Sequence, residues 1–165
     1  MKNYVVEIDP EVCSRGGAFI TIPNPRLKDG LNVFAIDDDE DDLGMVCDAL
    51  DGNPKVKSIQ TMTDSVQALH VIETGQFKPD LIFLDLNMPQ VDGFKTLECI
   101  RAIPGMENTP VIILTTSGRI EDVRKSLRGT ATSFIVKPDN IDELKTKTSE
   151  VIHSLVEGTY LEKRL

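Results

Sequence analysis

Polar side chains that can take part in catalysis or metal binding follow four short apolar runs of the sequence. They are the carboxylates Asp37, Asp38 and Asp85, the hydroxyls Thr115 and Thr116, and the amine Lys137. Short apolar runs that end in turn residues are typical of buried strands. Because the carboxyl ends of parallel strands meet at one edge of a sheet, we expect these side chains to share one crevice.

The carboxylates in that crevice repel each other and require a positive partner. Burial and like charge both disfavour the ionised form of a carboxyl group. A hard divalent cation such as Mg²⁺ prefers oxygen ligands, and it commonly takes one or two carboxylates together with phosphate oxygens. The sequence therefore predicts a magnesium site formed from Asp37, Asp38 and Asp85.

Strands and helices alternate along the chain in the order βαβαβαβαβα. The predicted strands are residues 33–36, 56–62, 81–84, 111–114 and 134–136, and the helices that follow them include residues 94–103, 120–127 and 141–156. This alternation implies parallel strands joined by right-handed crossovers. The fold class is α/β, a doubly wound, flavodoxin-like five-stranded parallel sheet of order 2-1-3-4-5 with helices on both faces. That order places the ends of strands one and three side by side.

In order and in register, these residues resemble the receiver domain of two-component response regulators, including the chemotaxis regulator. The similarity covers roughly residues 31–157 and includes the segment Leu-Asp-Leu-Asn-Met-Pro-Gln-Val-Asp-Gly at residues 84–93. Asp85 precedes Thr115 by 30 positions and Lys137 by 52, which are spacings familiar from that family. The resemblance implies that Asp85 is the phosphoacceptor, Thr115 the switch hydroxyl and Phe134 the switch aromatic residue.

The resemblance also implies a set of metal ligands. Asp38, Asp85 and the backbone carbonyl of Asn87 bind Mg²⁺ directly, and Asp37 acts mainly through water. Asp85 attacks a phosphoryl group in line, and Thr115 and Lys137 bind its oxygens. A further expectation from the family is a cis peptide bond between Lys137 and Pro138.

The implied function is that of a phosphoacceptor in a histidine-to-aspartate phosphorelay, and not of an enzyme. A sensor histidine kinase or a phosphotransfer protein is the expected donor. A downstream protein or a second copy of the chain is expected to dock on the fourth helix, fifth strand and fifth helix. The segment Leu-Thr-Thr-Ser at residues 114–117 is similar to a stand-alone subgroup that works with phytochrome-like kinases. Thr116 stands where many members have alanine or glycine, so it is expected to narrow access to Asp85.

Two other classes of function stay open. One is a receiver-like binding module that is not controlled by phosphorylation, which the intact site residues disfavour. The other is an aspartyl-phosphate phosphohydrolase, which commonly has a second acid two residues after its nucleophile, where Asn87 stands here. A calcium loop is rejected because Asp42 occupies the position that requires glycine. Residues 39–42 are interpreted as ordinary acidic charge at a helix N-terminus.

Composition limits the remaining possibilities. The 165 residues fit one domain, and a net charge of −9 argues against non-specific binding of nucleic acid. Three cysteines without a CxxC pair indicate reduced thiols, two of them in the core (Cys47 and Cys99), and no apolar stretch reaches membrane-spanning length. We expect a cytoplasmic protein without direct contact to DNA or membrane. Its parts are an extension at residues 1–30 (a hairpin or an arm), the domain at 31–157 and a tail at 158–165.

Overall fold

The computed structural model describes residues 30–89, 92–116 and 131–157, and they build one parallel sheet with helices on both faces. The strands are β1 (Leu31–Ile36), β2 (Val56–Met62), β3 (Leu81–Asp85), β4 (Val111–Thr115) and β5 (Ser133–Val136). The helices are α1 (Glu40–Leu50), α2 (Ser65–Glu73), α3 (Gly93–Ala102) and α4 (Ile141–Glu157). All neighbouring strands are parallel in the order β2-β1-β3-β4-β5, which confirms the predicted fold class.

The core lies in two layers, one on each face of the sheet. On one face, α2 and α3 cover alternate strand residues such as Phe34 and Leu84. On the other face, α1 and α4 cover their sequence neighbours, such as Ala35 and Phe83. All five residues of β3 are buried, because a central parallel strand has helices on both sides. This explains why the strand that carries Asp85 is uniformly apolar up to its last residue.

Side-chain caps begin the helices shortly after the strands end. Asp39 accepts a hydrogen bond from the N–H of Asp41 at 2.8 Å, and Asp92 accepts one from the N–H of Phe94 at 3.0 Å. Asp64 caps α2 as predicted, accepting from Val66 N–H at 2.8 Å. Each cap of this kind contributes about 1 kcal/mol to stability. The caps fix the point at which the chain turns away from the carboxyl edge of the sheet.

Several predicted details differ from the structure. The Lys137–Pro138 peptide bond is trans, so the predicted cis bond is wrong. The trans form is the lower in energy for most X–Pro bonds, by about 0.5–1 kcal/mol, and the Lys137 side chain reaches the crevice from it. Val66 and Ile141 are 56% and 37% exposed and do not belong to the core.

Other predictions concern burial, or segments that the structure leaves out. Cys47 and Cys99 are half-buried free thiols, so the prediction that they are core residues is wrong. The predicted helix at residues 120–127, the hairpin or arm before residue 30 and the tail after residue 157 lie outside the described ranges. Within those ranges, no helix combines the length and apolar character that crossing a bilayer requires.

Gly93 lies so close to the β3 end that a side chain would not fit there. Its N–H donates to the carbonyl of Leu86 at 3.2 Å. A Cβ at this position would overlap the Asp85 carbonyl oxygen and would lie 2.6 Å from Leu86 Cα. The glycine therefore holds the start of α3 against the backbone of the residue that carries the central carboxylate.

We predict that Gly93→Ala destabilises the fold by about 1–3 kcal/mol, because the overlap forces the backbone around Asp85 to move. Gly44→Ala is the matched control, since Gly44 lies within α1 and a Cβ there meets nothing within 4 Å. That variant should gain about 0.5–1 kcal/mol. Urea unfolding of both variants measures the difference. Equal stabilities for the two would show that the approach of Gly93 to β3 is not tight.

Candidate functional site

The carboxyl edge of the sheet brings the predicted site residues together. Asp37 directly follows β1, and Asp85 and Thr115 are the last residues of β3 and β4. Lys137 directly follows β5, and its N–H donates to the Thr115 carbonyl at 2.8 Å. The parallel register places these strand ends side by side, as the alternating sequence predicted.

Three carboxylates form a compact cluster in the crevice. One oxygen each of Asp37, Asp38 and Asp85 lies within 4.8 Å of the others. Asp37 and Asp85 are buried, at 4% and 3% exposure, whereas Asp38 is exposed to solvent. Two buried carboxylates and a third at the mouth create a strongly negative pocket that opens on one side.

The ammonium group of Lys137 is the counter-charge of this pocket. Its Nζ lies 2.6 Å from Asp37 Oδ2, 2.6 Å from Asp42 Oδ2 and 3.2 Å from Asp85 Oδ1. Burial alone would lower the pKa of Lys137, but hydrogen bonds to Asp37 and Asp42 and attraction to Asp85 raise the pKa above its usual value. Lys137 is therefore positively charged at neutral pH.

Asp37 is the most completely bonded carboxylate of the cluster. Its Oδ2 accepts from Lys137, and its Oδ1 accepts from the N–H of Asp39 at 3.1 Å. Burial still raises the pKa of Asp37, although both hydrogen bonds lower it. A group whose pKa is higher in the folded than in the unfolded chain stabilises the fold at acidic pH and loses that contribution as the pH rises. The ionised Asp37 thus costs stability at neutral pH.

Asp85 has one bonded oxygen and one that accepts no hydrogen bond. Its Oδ2 accepts from the backbone N–H of Asn87 at 2.7 Å. Its Oδ1 is buried and near Lys137, yet no donor among the described residues is aligned with it. A buried acceptor without a donor is unusual and costs free energy. The carboxylate cluster and this oxygen together fit a cation such as Mg²⁺.

Asn87 connects the Asp85 loop to the end of β4. Its Nδ2 donates to Thr115 Oγ1 at 3.4 Å and to Thr116 Oγ1 at 3.3 Å. Thr116, which was expected to narrow access to Asp85, is exposed and is held by Asn87, and its effect on access stays a prediction. Phe134 is 1% exposed and packs in the α2–α3 layer of the core. The aromatic ring is therefore buried without any group bound to Asp85.

Sequence reasoning missed one residue of the site. Asp42, interpreted as ordinary acidic charge at a helix N-terminus, does lie in the first turn of α1, but it is also paired with Lys137, which that interpretation did not include. Asp39, by contrast, caps the helix as an acidic residue at its start would. The available signal was helical phase, because Asp42 shares a face of α1 with the buried Val46 and Ala49, four and seven residues later.

Comparisons with known proteins agree with this geometry. Residues 33–149 match the family model described as the response regulator receiver domain. A protein-glutamate methylesterase/protein-glutamine glutaminase of Methanospirillum hungatei is 30% identical over 125 residues, which are 76% of this chain and 36% of that protein. The chain spans between 19% and 50% of the length of other curated relatives, which include plant two-component response regulators.

Solved structures show the same architecture. The phosphorylated cyanobacterial phytochrome response regulator RcpA superposes with a TM-score of 0.71, covering 81% of this chain and 99% of RcpA. At 24% identity this likeness concerns the fold alone. The Mn²⁺-bound response regulator Rcp1 is 26% identical, with a TM-score of 0.64 over 82% of this chain and 97% of Rcp1.

We predict that Mg²⁺ raises the melting temperature and that Asp38→Asn loses most of this gain. A ligand present at a hundred times its dissociation constant stabilises a fold by about 2.7 kcal/mol. In chelator, the variant should melt no lower than the unmodified chain, because a repelling charge is gone. Asp41→Asn, which removes an exposed charge three residues away, is the control and should keep the full gain. Equal gains in Asp38→Asn and the unmodified chain would remove Asp38 from the ligand set.

Proposed function

Since this chain belongs to the response regulator receiver domain family, we propose that it is the phosphoacceptor of a two-component phosphorelay, with Asp85 as the residue that is phosphorylated. The observation that carries this proposal is the state of Asp85 Oδ1. That oxygen is buried, accepts no hydrogen bond from the residues that the structure describes and lies 3.2 Å from the Lys137 ammonium group. Asp85 Oδ1 is therefore a candidate nucleophile next to the positively charged ammonium group of Lys137.

The proposed step is attack of an Asp85 carboxylate oxygen on the phosphorus of a donor. A new bond forms between that oxygen and phosphorus. In a phosphohistidine donor the P–N bond breaks, and the imidazole leaves with its electron pair; in a small acyl phosphate, the P–O bond breaks and a carboxylate leaves. The Asn87 N–H fixes the orientation of the Asp85 carboxylate during this step, through its bond to Oδ2.

Two groups at neighbouring strand ends are placed to bind the transferred phosphoryl group. Lys137 has its ammonium group 3.2 Å from Asp85 Oδ1, and Thr115 carries a hydroxyl at the end of the neighbouring strand β4. Charge-assisted hydrogen bonds to phosphoryl oxygens are stronger than those between neutral groups. These bonds would hold the phosphorylated state and draw Thr115 toward Asp85.

We propose Mg²⁺ as the cofactor, bound by Asp38, Asp85 and the backbone carbonyl of Asn87, with Asp37 acting through water. Asp37 suits the indirect role because Lys137 and Asp39 already bond both of its oxygens. When bound, the ion would neutralise the negative charge that accumulates on the phosphoryl oxygens. The Mn²⁺-bound form of Rcp1 supports a divalent ion in this family.

We propose that the chain acts as a signalling phosphoacceptor and not as an enzyme on a separate substrate. The chain aligns with 36% of the methylesterase relative, so the activity in that protein's name is not carried over. A phosphohydrolase would place an acid where Asn87 stands, and Asn87 instead donates to Thr115 and Thr116. The receiver-like binding module without phosphorylation is disfavoured by the complete site.

The proposed partners are a histidine kinase or phosphotransfer protein as donor and a downstream protein or a second copy as receiver of the signal. We propose residues 31–157 as the functional unit, between an N-terminal extension and a short tail. The half-buried free thiols of Cys47 and Cys99 support a reducing, cytoplasmic location, and the net charge of −9 disfavours direct DNA contact. Work with a phytochrome-like kinase stays a prediction.

We predict that incubation with Mg²⁺ and a small acyl phosphate adds one phosphoryl group to the chain. Asp85→Asn should abolish this addition, since an amide is not an acceptor. Asp51→Asn is the control, because Asp51 is exposed at the far end of α1 and should leave the yield unchanged. Intact-mass spectrometry measures the addition. A phosphoryl group of equal yield on Asp85→Asn would contradict the assignment of the acceptor.

We also predict that phosphorylation alters the surface formed by β5 and α4. Thr115 moves toward the phosphoryl group, and Phe134 adjusts beside it. Because the ring is already buried, we expect its change to be a shift within the core and not an entry from solvent. Amide chemical shifts with and without beryllofluoride measure this. Shifts confined to the metal pocket, with residues 131–137 unaffected, would contradict an output surface there.

A further inference from the structure

We propose that Asp42 is a positioning residue that holds Lys137 in the unphosphorylated protein and competes with the phosphoryl group for it. This inference rests on the proposed phosphorylation of Asp85. It goes beyond the site residues that the sequence pattern provides, because Asp42 belongs neither to the carboxylate cluster nor to the strand ends. Its place is the first turn of α1.

The ion pair between Asp42 and Lys137 is as close as the one within the main site. Nζ lies 2.6 Å from Asp42 Oδ2, the same distance as from Asp37 Oδ2. The side chain of Lys137 is 13% exposed and that of Asp42 is 32% exposed, so water reaches the carboxylate but scarcely the ammonium group. This geometry differs from that of a solvated surface pair, in which both partners are mobile.

Apolar neighbours shield this ion pair on one side. Asp42 and Lys137 line a small pocket between α1, α4 and the end of β4, whose other walls are Met45, Val46, Leu114, Pro138 and Leu144. An apolar wall lowers the local dielectric response and strengthens the attraction between opposite charges. The pocket therefore favours the resting position of the lysine, with Nζ drawn toward α1.

In this position of Lys137, Asp42 and a phosphoryl group on Asp85 compete for the same ammonium group. An ammonium group has three N–H donors, and Lys137 donates two of them to Asp37 and Asp42. Its approach to Asp85 Oδ1, at 3.2 Å, is not aligned as a hydrogen bond. The third donor of Nζ is therefore not directed at Asp85 while both other bonds are kept, and turning it toward a phosphoryl group on Asp85 requires Nζ to move and to lengthen its bond to Asp42. Asp42 thus biases the switch toward the unphosphorylated state.

The test is a titration of the full chain with beryllofluoride at saturating Mg²⁺, because this anion mimics a phosphoryl group on a carboxylate. Asp42→Asn keeps the shape of the side chain and removes the charge. We expect it to bind beryllofluoride more tightly than the unmodified chain, by on the order of tenfold, since one charge-assisted hydrogen bond no longer competes. Asp42→Ala should change the affinity in the same direction.

The matched control is Asp41→Asn. Asp41 is the preceding residue of the same helix turn, its side chain is exposed, and the variant loses the same charge. Its beryllofluoride affinity should stay within about twofold of the unmodified chain, because a solvent-exposed charge acts weakly at this range. The Mg²⁺ affinities of the Asp42→Asn and Asp41→Asn variants should be alike, because each variant loses one negative charge. A difference between them in beryllofluoride affinity would then not be caused by a difference in Mg²⁺ binding.

The possible outcomes separate a failure of the competition by Asp42 from a failure of the proposed function. If the unmodified chain binds beryllofluoride and Asp42→Asn binds it equally or more weakly, the competition is overturned and the proposed function stands. Equal gains in Asp42→Asn and Asp41→Asn would also overturn it, because they would show an effect of net charge alone. If the unmodified chain does not bind beryllofluoride at all, the proposed function fails and this inference fails with it.

Discussion

One ammonium group opposes four carboxylates at the carboxyl edge of the sheet, and the rest of the site depends on this balance. Lys137 contacts Asp37, Asp42 and Asp85, and Asp38 completes the acidic cluster at the mouth. Buried ions without a partner are strongly destabilising, by several kcal/mol per ion. Because Lys137 follows β5, Asp37 follows β1 and Asp85 ends β3, the charges meet only when β1, β3, β4 and β5 are paired.

The positive charge does not fully neutralise the carboxylates, and the site can bind a cation and react for that reason. Among the described residues, the one ammonium group of Lys137 does not neutralise the acids around it, so the pocket keeps an excess of negative charge that suits a divalent ion. Asp85 Oδ1 stays without a hydrogen bond while the oxygens of Asp37 are both bonded. The local backbone enforces this difference, since the tight approach of Gly93 and the Asn87 N–H fix the Asp85 loop.

Residues at strand ends could be predicted from sequence because their position follows from the element that precedes them. An apolar run ending in Asp85 predicts a buried strand with a carboxylate at its edge, and the structure agrees. Asp42 could not be separated in this way from its acidic neighbours Asp39 and Asp41. Helical phase places Asp42 on the face of Val46 and Ala49, but its pairing with Lys137 depends on how α1 packs beside the end of β5, which is a tertiary property.

Other differences between the sequence-based predictions and the structure also arise from properties that local sequence does not determine. Val66 keeps to the helical spacing of an apolar face, yet it is 56% exposed because the buried face of α2 runs through Ser65, Ala68 and Ile72. The Lys137–Pro138 bond was expected to be cis by analogy, and no local pattern in the sequence decides between the two isomers.

The central claim is that Lys137 is shared between the acids of the resting site and the phosphoryl group. A crystal structure of the chain with Mg²⁺ and beryllofluoride tests it most directly, through the distance from Lys137 Nζ to Asp42 Oδ2. In the resting structure this distance is 2.6 Å. The account predicts that it opens beyond about 4 Å, the limit of an ion pair, while Nζ binds a fluoride on Asp85. An unchanged ion pair with Asp42, and no contact from Nζ to the fluoride, would contradict it.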